Sequence, residues 1–264
     1  MAIDSHAHLE MKEYDGDRKA VLARAETAGV TAIITVGTTI PDCEKAVSLA
    51  ALYPIVHAAV GIHPHEVKEI GAGTYNALRR IAREEKVVAI GEIGLDFFHE
   101  FSPRETQLRH FAEQLDLAEE LGLPVIIHDR EAHAQTVSIL KARKNRLQGV
   151  LHCFSGDEAM ARECLDGGFY LSVAGPVTYR KAEQLRRVAC RIPAEQLLIE
   201  TDAPYLSPQP WRGKRNEPAY VMETARCLAQ IRGEPVEELK RFTEENARRL
   251  FRLGPSKSGP GKSA

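Results

Sequence analysis

SPRETQLRHFAEQLDLAEELGLPVIIHDR (residues 102–130) joins two patterns whose order decides the fold. Ser102 reads as an N-cap, Pro103 sits at the first turn, and Glu105 closes a capping box. Leu108, Phe111, Leu115 and Ala118 then recur at helical spacing, and Gly122 suits the C-terminal cap. The run that follows, Pro124 to His128, is apolar on both faces, as a strand buried on both sides must be. An amphipathic helix feeding such a strand is half of a βαβ unit and predicts a parallel sheet.

Seven further runs repeat the pattern: Ala2–His6, Val30–Val36, Ile55–Gly61, Val87–Glu92, Gly149–His152, Phe169–Val173 and Leu197–Thr201. Eight units in about 250 residues predict an α/β fold, a single (β/α)8 TIM-type barrel over residues 1–253, with a doubly wound open sheet as the alternative. Residues 254–264, GPSKSGPGKSA, lack apolar content and read as a disordered tail. Its GPGKS stretch is not a phosphate-binding loop, since Ser256 occupies the place of the first glycine and no strand or helix flanks it.

The chain has 264 residues, of which 44% are hydrophobic, enough for a sizeable core. A net charge of -2 excludes a globally basic nucleic-acid coat, so any nucleic-acid contact must come from a local patch or from bound metal. Five scattered cysteines without a C-x-x-C pair argue against a disulfide framework or a zinc ribbon and for a reducing compartment. With no leader and no long uncharged run, the expected location is cytoplasmic, with no membrane contact.

Barrel active sites lie where strands end. The first run, IDSHAHLE, places Asp4, His6 and His8 on one face by strand alternation. Glu92 ends the fourth run, His128 the fifth and His152 the sixth, while Asp202 follows the eighth. Each alone has an ordinary explanation, as a hydrogen-bonded core histidine or a carboxylate paired with Arg130. Four imidazoles and two acids in one mouth are costly without a cation, so together they predict metal binding. Six ligands suit two divalent ions sharing a carboxylate, and with one bridging hydroxide the charges sum to about one positive, attractive to a phosphate oxyanion.

The motifs IDSHAHLE, VGIHPHE, AIGEIGLDFF, LPVIIHDR, HCFSG, LLIETDAPYLSP and RGKRNEP, in this order, resemble the TatD family of metal-dependent deoxyribonucleases from about Ala2 to Phe251. Glu10 departs from the Asp or Asn that usually ends the family's first motif. The resemblance implies that His6, His8, Glu92 and Asp202 hold one metal and Glu92, His128 and His152 the other, with Glu92 as bridge. Asp202 is then the candidate base for the attacking water.

His63 and His65 follow the third strand and are expected to contact phosphate or, for His63, to protonate the leaving group; a role in loop structure is the alternative for His65. Arg130 can offer phosphate a bidentate fork. Arg212, Lys214 and Arg215 form the densest cationic cluster near the expected mouth, where Trp211 either stacks on a base or packs under the loop. His57, His99, His110 and His133 read as ordinary surface or helix residues.

These readings predict a phosphodiesterase, a deoxyribonuclease of exonuclease type acting on DNA ends or single strands, with DNA repair as a family-level expectation and no obligate protein partner. Four imidazoles suit Zn, Mn, Ni or Fe better than Mg, although the resemblance implies Mg dependence. The alternative is hydrolysis of a carbonyl substrate, such as an aminoacyl-tRNA ester, a small amide or a lactone. A non-catalytic scaffold fits poorly with a complete ligand set.

Overall fold

A computed structural model describes residues 1–144 and 146–254; the tail expected over 254–264 lies outside the described residues except for Gly254. Eight parallel strands follow one another in chain order: β1 (Ala2–Ala7), β2 (Val30–Val36), β3 (Val56–Val60), β4 (Val87–Asp96), β5 (Val125–Arg130), β6 (Gly149–Leu151), β7 (Tyr170–Val173) and β8 (Leu197–Ile199). The first and last strands meet through a parallel bridge between Ala7 and Ala203, His8 N–H donates to the Ala203 carbonyl at 2.7 Å, and Asp202 N–H donates to the His6 carbonyl at 3.0 Å. The sheet is therefore a nearly closed barrel, and the open-sheet alternative fails.

Strand alternation separates two apolar layers. Ile3, Ala59, Ala89, Ile126, Val150 and Leu198 fill the barrel from six strands, and Ala247, Leu250 and Phe251 of the last helix pack into the same cluster. The alternate residues, including Ile33, Val60, Ile90, Ile127, Leu151 and Leu197, belong to a second cluster shared with the outer helices.

The helices are α1 (Arg18–Ala28), α2 (Ile40–Leu52), α3 (Thr74–Ile81), α4 (Arg104–Leu121), α5 (His133–Lys141), α6 (Glu158–Asp166), α7 (Glu183–Arg191), α8 (Val221–Arg232) and α9 (Val236–Leu250). Gly122 ends α4 as expected, with φ 64° and its N–H shared between the Ala118 and Glu119 carbonyls. The capping box at the other end does not form. Pro103 is the N-cap, and Ser102 Oγ instead donates to the His65 carbonyl at 2.7 Å and accepts from Lys68 N–H at 3.2 Å, pinning the loop after β3. Two buried glutamines carry α4 against the strand ends. Gln107 holds both the N–H and the carbonyl of Asp96, at 2.8 and 2.9 Å, and Gln114 holds both of Ile62, at 2.7 and 3.0 Å.

Two strands depart from the sequence reading. β1 pairs out of step with β2 between Asp4 and Ala7, so three residues oppose two and strict alternation is broken there. Asp4 consequently does not join the histidines; its carboxylate accepts from Thr201 N–H at 2.9 Å and Thr201 Oγ1 at 2.6 Å, closing the β1–β8 seam. β4 runs four residues past Glu92. Its extension packs so closely on β5 that a Cβ on Gly91 would lie 2.6 Å from Ile126 Cβ, and one on Gly94 would lie 2.0 Å from the His128 carbonyl oxygen. Both glycines are strand residues whose missing side chains permit this approach.

His57, on β3, is partly buried, and burial, with Lys86 and Arg248 nearby, pushes its pKa down from 6.5 to about 4. The unfolded chain therefore takes up a proton at this site before the folded chain does, so stability is lost as pH falls through this window. At about pH 5 the loss is at most about 2 kcal/mol, less where solvent screens the ring. Urea unfolding at about pH 5 and about pH 7.5 should show His57→Gln losing less stability on acidification than the unaltered chain.

Candidate metal centre

The strand ends surround a cavity of about 770 Å³, within the size range of small-molecule and nucleotide sites. Glu92, 2% exposed, stands at its floor. Its two carboxylate oxygens face different imidazoles. Oε1 lies 2.8 Å from His128 Nδ1, 2.8 Å from His152 Nε2 and 3.4 Å from His63 Nε2. Oε2 lies 3.3 Å from His6 Nε2 and 3.7 Å from His8 Nε2. Asp202 Oδ1 completes the second side, 3.7 Å from His6 Nε2 and 3.5 Å from His8 Nε2. The six ligand candidates read from the sequence thus converge, and His63 joins them.

Outer partners orient the rings. His8 Nδ1–H donates to the Val36 carbonyl at 2.9 Å and lies 3.3 Å from Glu10 Oε1, which turns Nε2 toward Glu92 and Asp202. Glu10 Oε2 accepts from Thr35 Oγ1 at 2.8 Å, so the residue that departs from the family motif braces a ligand candidate. His152 Nδ1 lies 3.2 Å from Glu200 Oε1, and His128 Nε2 lies 3.3 Å from Asp96 Oδ2. Glu10, Glu200 and Asp96 are all buried. Glu200 and Asp96 did not enter the sequence reading, and Glu10 entered it only as a departure from the family motif, so the charge count made there omitted three carboxylates beside the ligands.

The electrostatics fit a cation. Burial alone would push the Glu92 carboxyl up, but the imidazoles of His152, His63 and His6, with the hydrogen bond from His128, hold it well below the usual carboxylate range. Burial would likewise lower His152 and His8, but contact with Glu92 and Glu200 raises His152, and contact with Asp202 and Glu10 raises His8, both well above the ordinary value. Protons on these rings do in part what divalent ions would do better. The donor set itself, imidazole nitrogens and carboxylate oxygens on both sides of one carboxylate, suits Zn2+, Mn2+, Ni2+ or Fe2+. His6 Nδ1, fully buried, has no hydrogen-bond partner among the described residues.

The remaining expectations divide. His63 sits against Glu92, but burial pushes its pKa down to about 4, so the ring is neutral near pH 7. A neutral ring suits a ligand or a phosphate contact. His65 lies on the cavity wall with Nε2 2.7 Å from Asp96 Oδ2. Arg130 also lines the cavity, its guanidinium 4.5 Å from the centre of the Phe98 ring.

Arg212, Lys214 and Arg215 do not line the cavity. Arg215 is committed to Asp17 by two bonds of 2.9 and 2.6 Å, Arg212 stacks on Tyr179, and Lys214 lies over Trp211. Trp211 stacks on Tyr220 at 4.8 Å, which is the packing alternative. The motif they belong to is a tether: Asn216 Nδ2 donates to the Thr201 and Tyr205 carbonyls at 2.9 and 2.6 Å, and Glu217 grips Arg24 of α1. A run of cationic letters carries no signal that one member is paired with Asp17 and the other two lie over aromatic rings. His99, read as an ordinary surface residue, lines the cavity and contacts Asp96.

The five cysteines are free thiols, and no described helix is long and apolar enough to cross a membrane.

Residues 3–252 match the protein family described as TatD related DNase. The uncharacterized metal-dependent hydrolase YabD of Bacillus subtilis strain 168 is 42% identical over 254 residues, covering 96% of this chain and all of that protein (100%). The 3'-5' ssDNA/RNA exonuclease TatD of Pectobacterium carotovorum is 40% identical over 257 residues, covering 95% of this chain and 99% of that protein. Among solved structures, YJJV, a TatD homologue from Escherichia coli K12, superimposes with a TM-score of 0.91 at 34% identity, covering 96% of this chain and 98% of the other.

Proposed function

The chain belongs to the TatD related DNase family of metal-dependent hydrolases, and from that premise we propose that it is a phosphodiesterase that removes nucleotides from the ends of single-stranded nucleic acid. The observation that carries this reading is the Glu92 carboxylate, with imidazoles on both oxygens at the floor of an open cavity. His6, His8, Glu92 and Asp202 would hold one divalent ion, and Glu92, His128 and His152 the other, with His63 beside them. Bound there, such ions supply Lewis-acid polarisation of a phosphate and lower the pKa of water.

The chain's own groups do the rest. Asp202 stays ionised: burial would raise its pKa, but the hydrogen bond from His8 and the charge of His6 lower it, leaving an acceptor for the proton of the attacking water. Arg130 offers its guanidinium fork to a phosphate oxygen at the rim. Water adds to phosphorus and the P–O3' bond breaks, releasing a 5'-mononucleotide and a strand shortened by one residue with a new 3'-hydroxyl. The name of the Pectobacterium relative, a 3'-5' ssDNA/RNA exonuclease, supports this polarity. A cytoplasmic location rests on the scattered, free cysteines.

The test compares metal-stripped protein, protein with added Mn2+ or Mg2+, and the His6→Ala/His8→Ala variant on a 5'-labelled single strand, with aminoacyl-tRNA as a parallel substrate. A ladder shortening from the 3' end, dependent on metal and absent in the variant, is the expected result. Metal-dependent release of the amino acid with no shortening of the strand would replace the phosphodiester reading with an acyl one.

A further inference from the structure

We propose that His65, Asp96 and His99 form an additional divalent-cation site on the wall of the same cavity, distinct from the Glu92 centre. One nitrogen of each histidine and one oxygen of Asp96 all lie within 4.8 Å of one another. Asp96 sits at the end of β4 with its side chain only 1% exposed, and its backbone is held on both sides by Gln107. Its Oδ1 is fully engaged by the N–H groups of Phe98 and His99, at 3.0 and 2.8 Å. The other oxygen, Oδ2, faces His65 Nε2 at 2.7 Å, His99 Nδ1 at 2.9 Å and His128 Nε2 at 3.3 Å.

Three imidazole nitrogens around one oxygen exceed the two lone pairs it can offer to donors. Two histidines and a carboxylate on one side of a point are instead a facial ligand set for a first-row divalent metal, with the remaining positions open to water. The side-chain exposure of His65 and His99, 22% and 34%, leaves that open side toward solvent. His65 is fixed from behind by Ser102 and by an edge contact with Phe101 at 4.8 Å.

Charge points the same way. Nine carboxylates and three cationic side chains line the cavity, an excess of six negative charges with the histidines neutral. Two divalent ions remove four of these charges, and a third brings the wall to neutrality. The site is one imidazole away from the main centre, because the His128 ring reaches from Asp96 Oδ2 to Glu92 Oε1.

This inference does not depend on the phosphodiester reading, and the experiment keeps the two apart. The unaltered chain, His99→Ala, the size-conserving His99→Gln, and Glu92→Gln are dialysed to equilibrium against excess Zn2+, and bound metal is counted by mass spectrometry. Both His99 variants should hold one ion per chain fewer than the unaltered protein, while Glu92→Gln loses metal without removing the ion that depends on His99. Equal metal content in the His99 variants and the unaltered chain overturns the site, whatever Glu92→Gln shows. Loss confined to the His99 variants, with Glu92→Gln fully loaded, would leave this site standing and count against the main centre.

Discussion

Glu92→Gln is expected to abolish metal-dependent cleavage while the barrel stays folded. Both oxygens of Glu92 face imidazoles, three on the Oε1 side and two on the Oε2 side. An amide matches the shape but carries no charge, and its nitrogen side cannot ligate a cation. One ion therefore loses a ligand outright and the other loses the neutralising charge. The fall in cleavage rate should be about a hundred- to a thousandfold, the scale seen when a principal charge-stabilising group is removed. The fold should survive, because the substitution conserves volume and the imidazoles facing Glu92 can give up their protons once its charge is gone. Circular dichroism, metal content and cleavage rate measured on one preparation check all three statements. Full activity with full metal content would remove the bridging role.

Asp202→Asn should separate catalysis from metal binding. Asp202 adopts φ 56°, a left-handed conformation that asparagine tolerates about as well as aspartate, so the backbone that positions it is kept. Its side chain is 13% exposed, more open to the cavity than Glu92 at 3%, which places it where a water could be deprotonated. The amide cannot accept that proton. Loss of a general base costs about 10²- to 10⁴-fold in rate, and Asp202→Asn should fall in that range while keeping the ions held by Glu92 and the histidines. Single-turnover cleavage at saturating metal is the measurement. A rate restored by raising metal concentration alone would make Asp202 only a ligand.

Much of this was legible in the chain because periodicity reports burial. Runs apolar on both faces and helices of regular spacing identify a parallel barrel, and a barrel says which strand ends share a mouth. What stayed hidden is set by neighbours far apart in sequence. The sequence reading ends β4 at Glu92, so Asp96 at its true end passes unnoticed; the strand runs on because Gly91 and Gly94 let it lie close against β5. Glu10 and Glu200 matter through His8 and His152, contacts made by strand register rather than by any local pattern. Arg215 looks free to bind phosphate until Asp17 of a distant loop is seen to hold it. Ser102 has the letters of a helix cap, yet its hydroxyl goes to the His65 loop, because the helix begins after Pro103.

The central claim is that one carboxylate holds two cations. Anomalous diffraction from crystals of the Mn2+- or Zn2+-loaded protein tests it most directly. The account predicts two ions, one on each oxygen of Glu92 at about 2.0–2.2 Å, the first shared with His6, His8 and Asp202 and the second with His128 and His152, whatever is bound beside His99. A single ion at the cavity floor, or ions that leave Glu92 untouched, would contradict it.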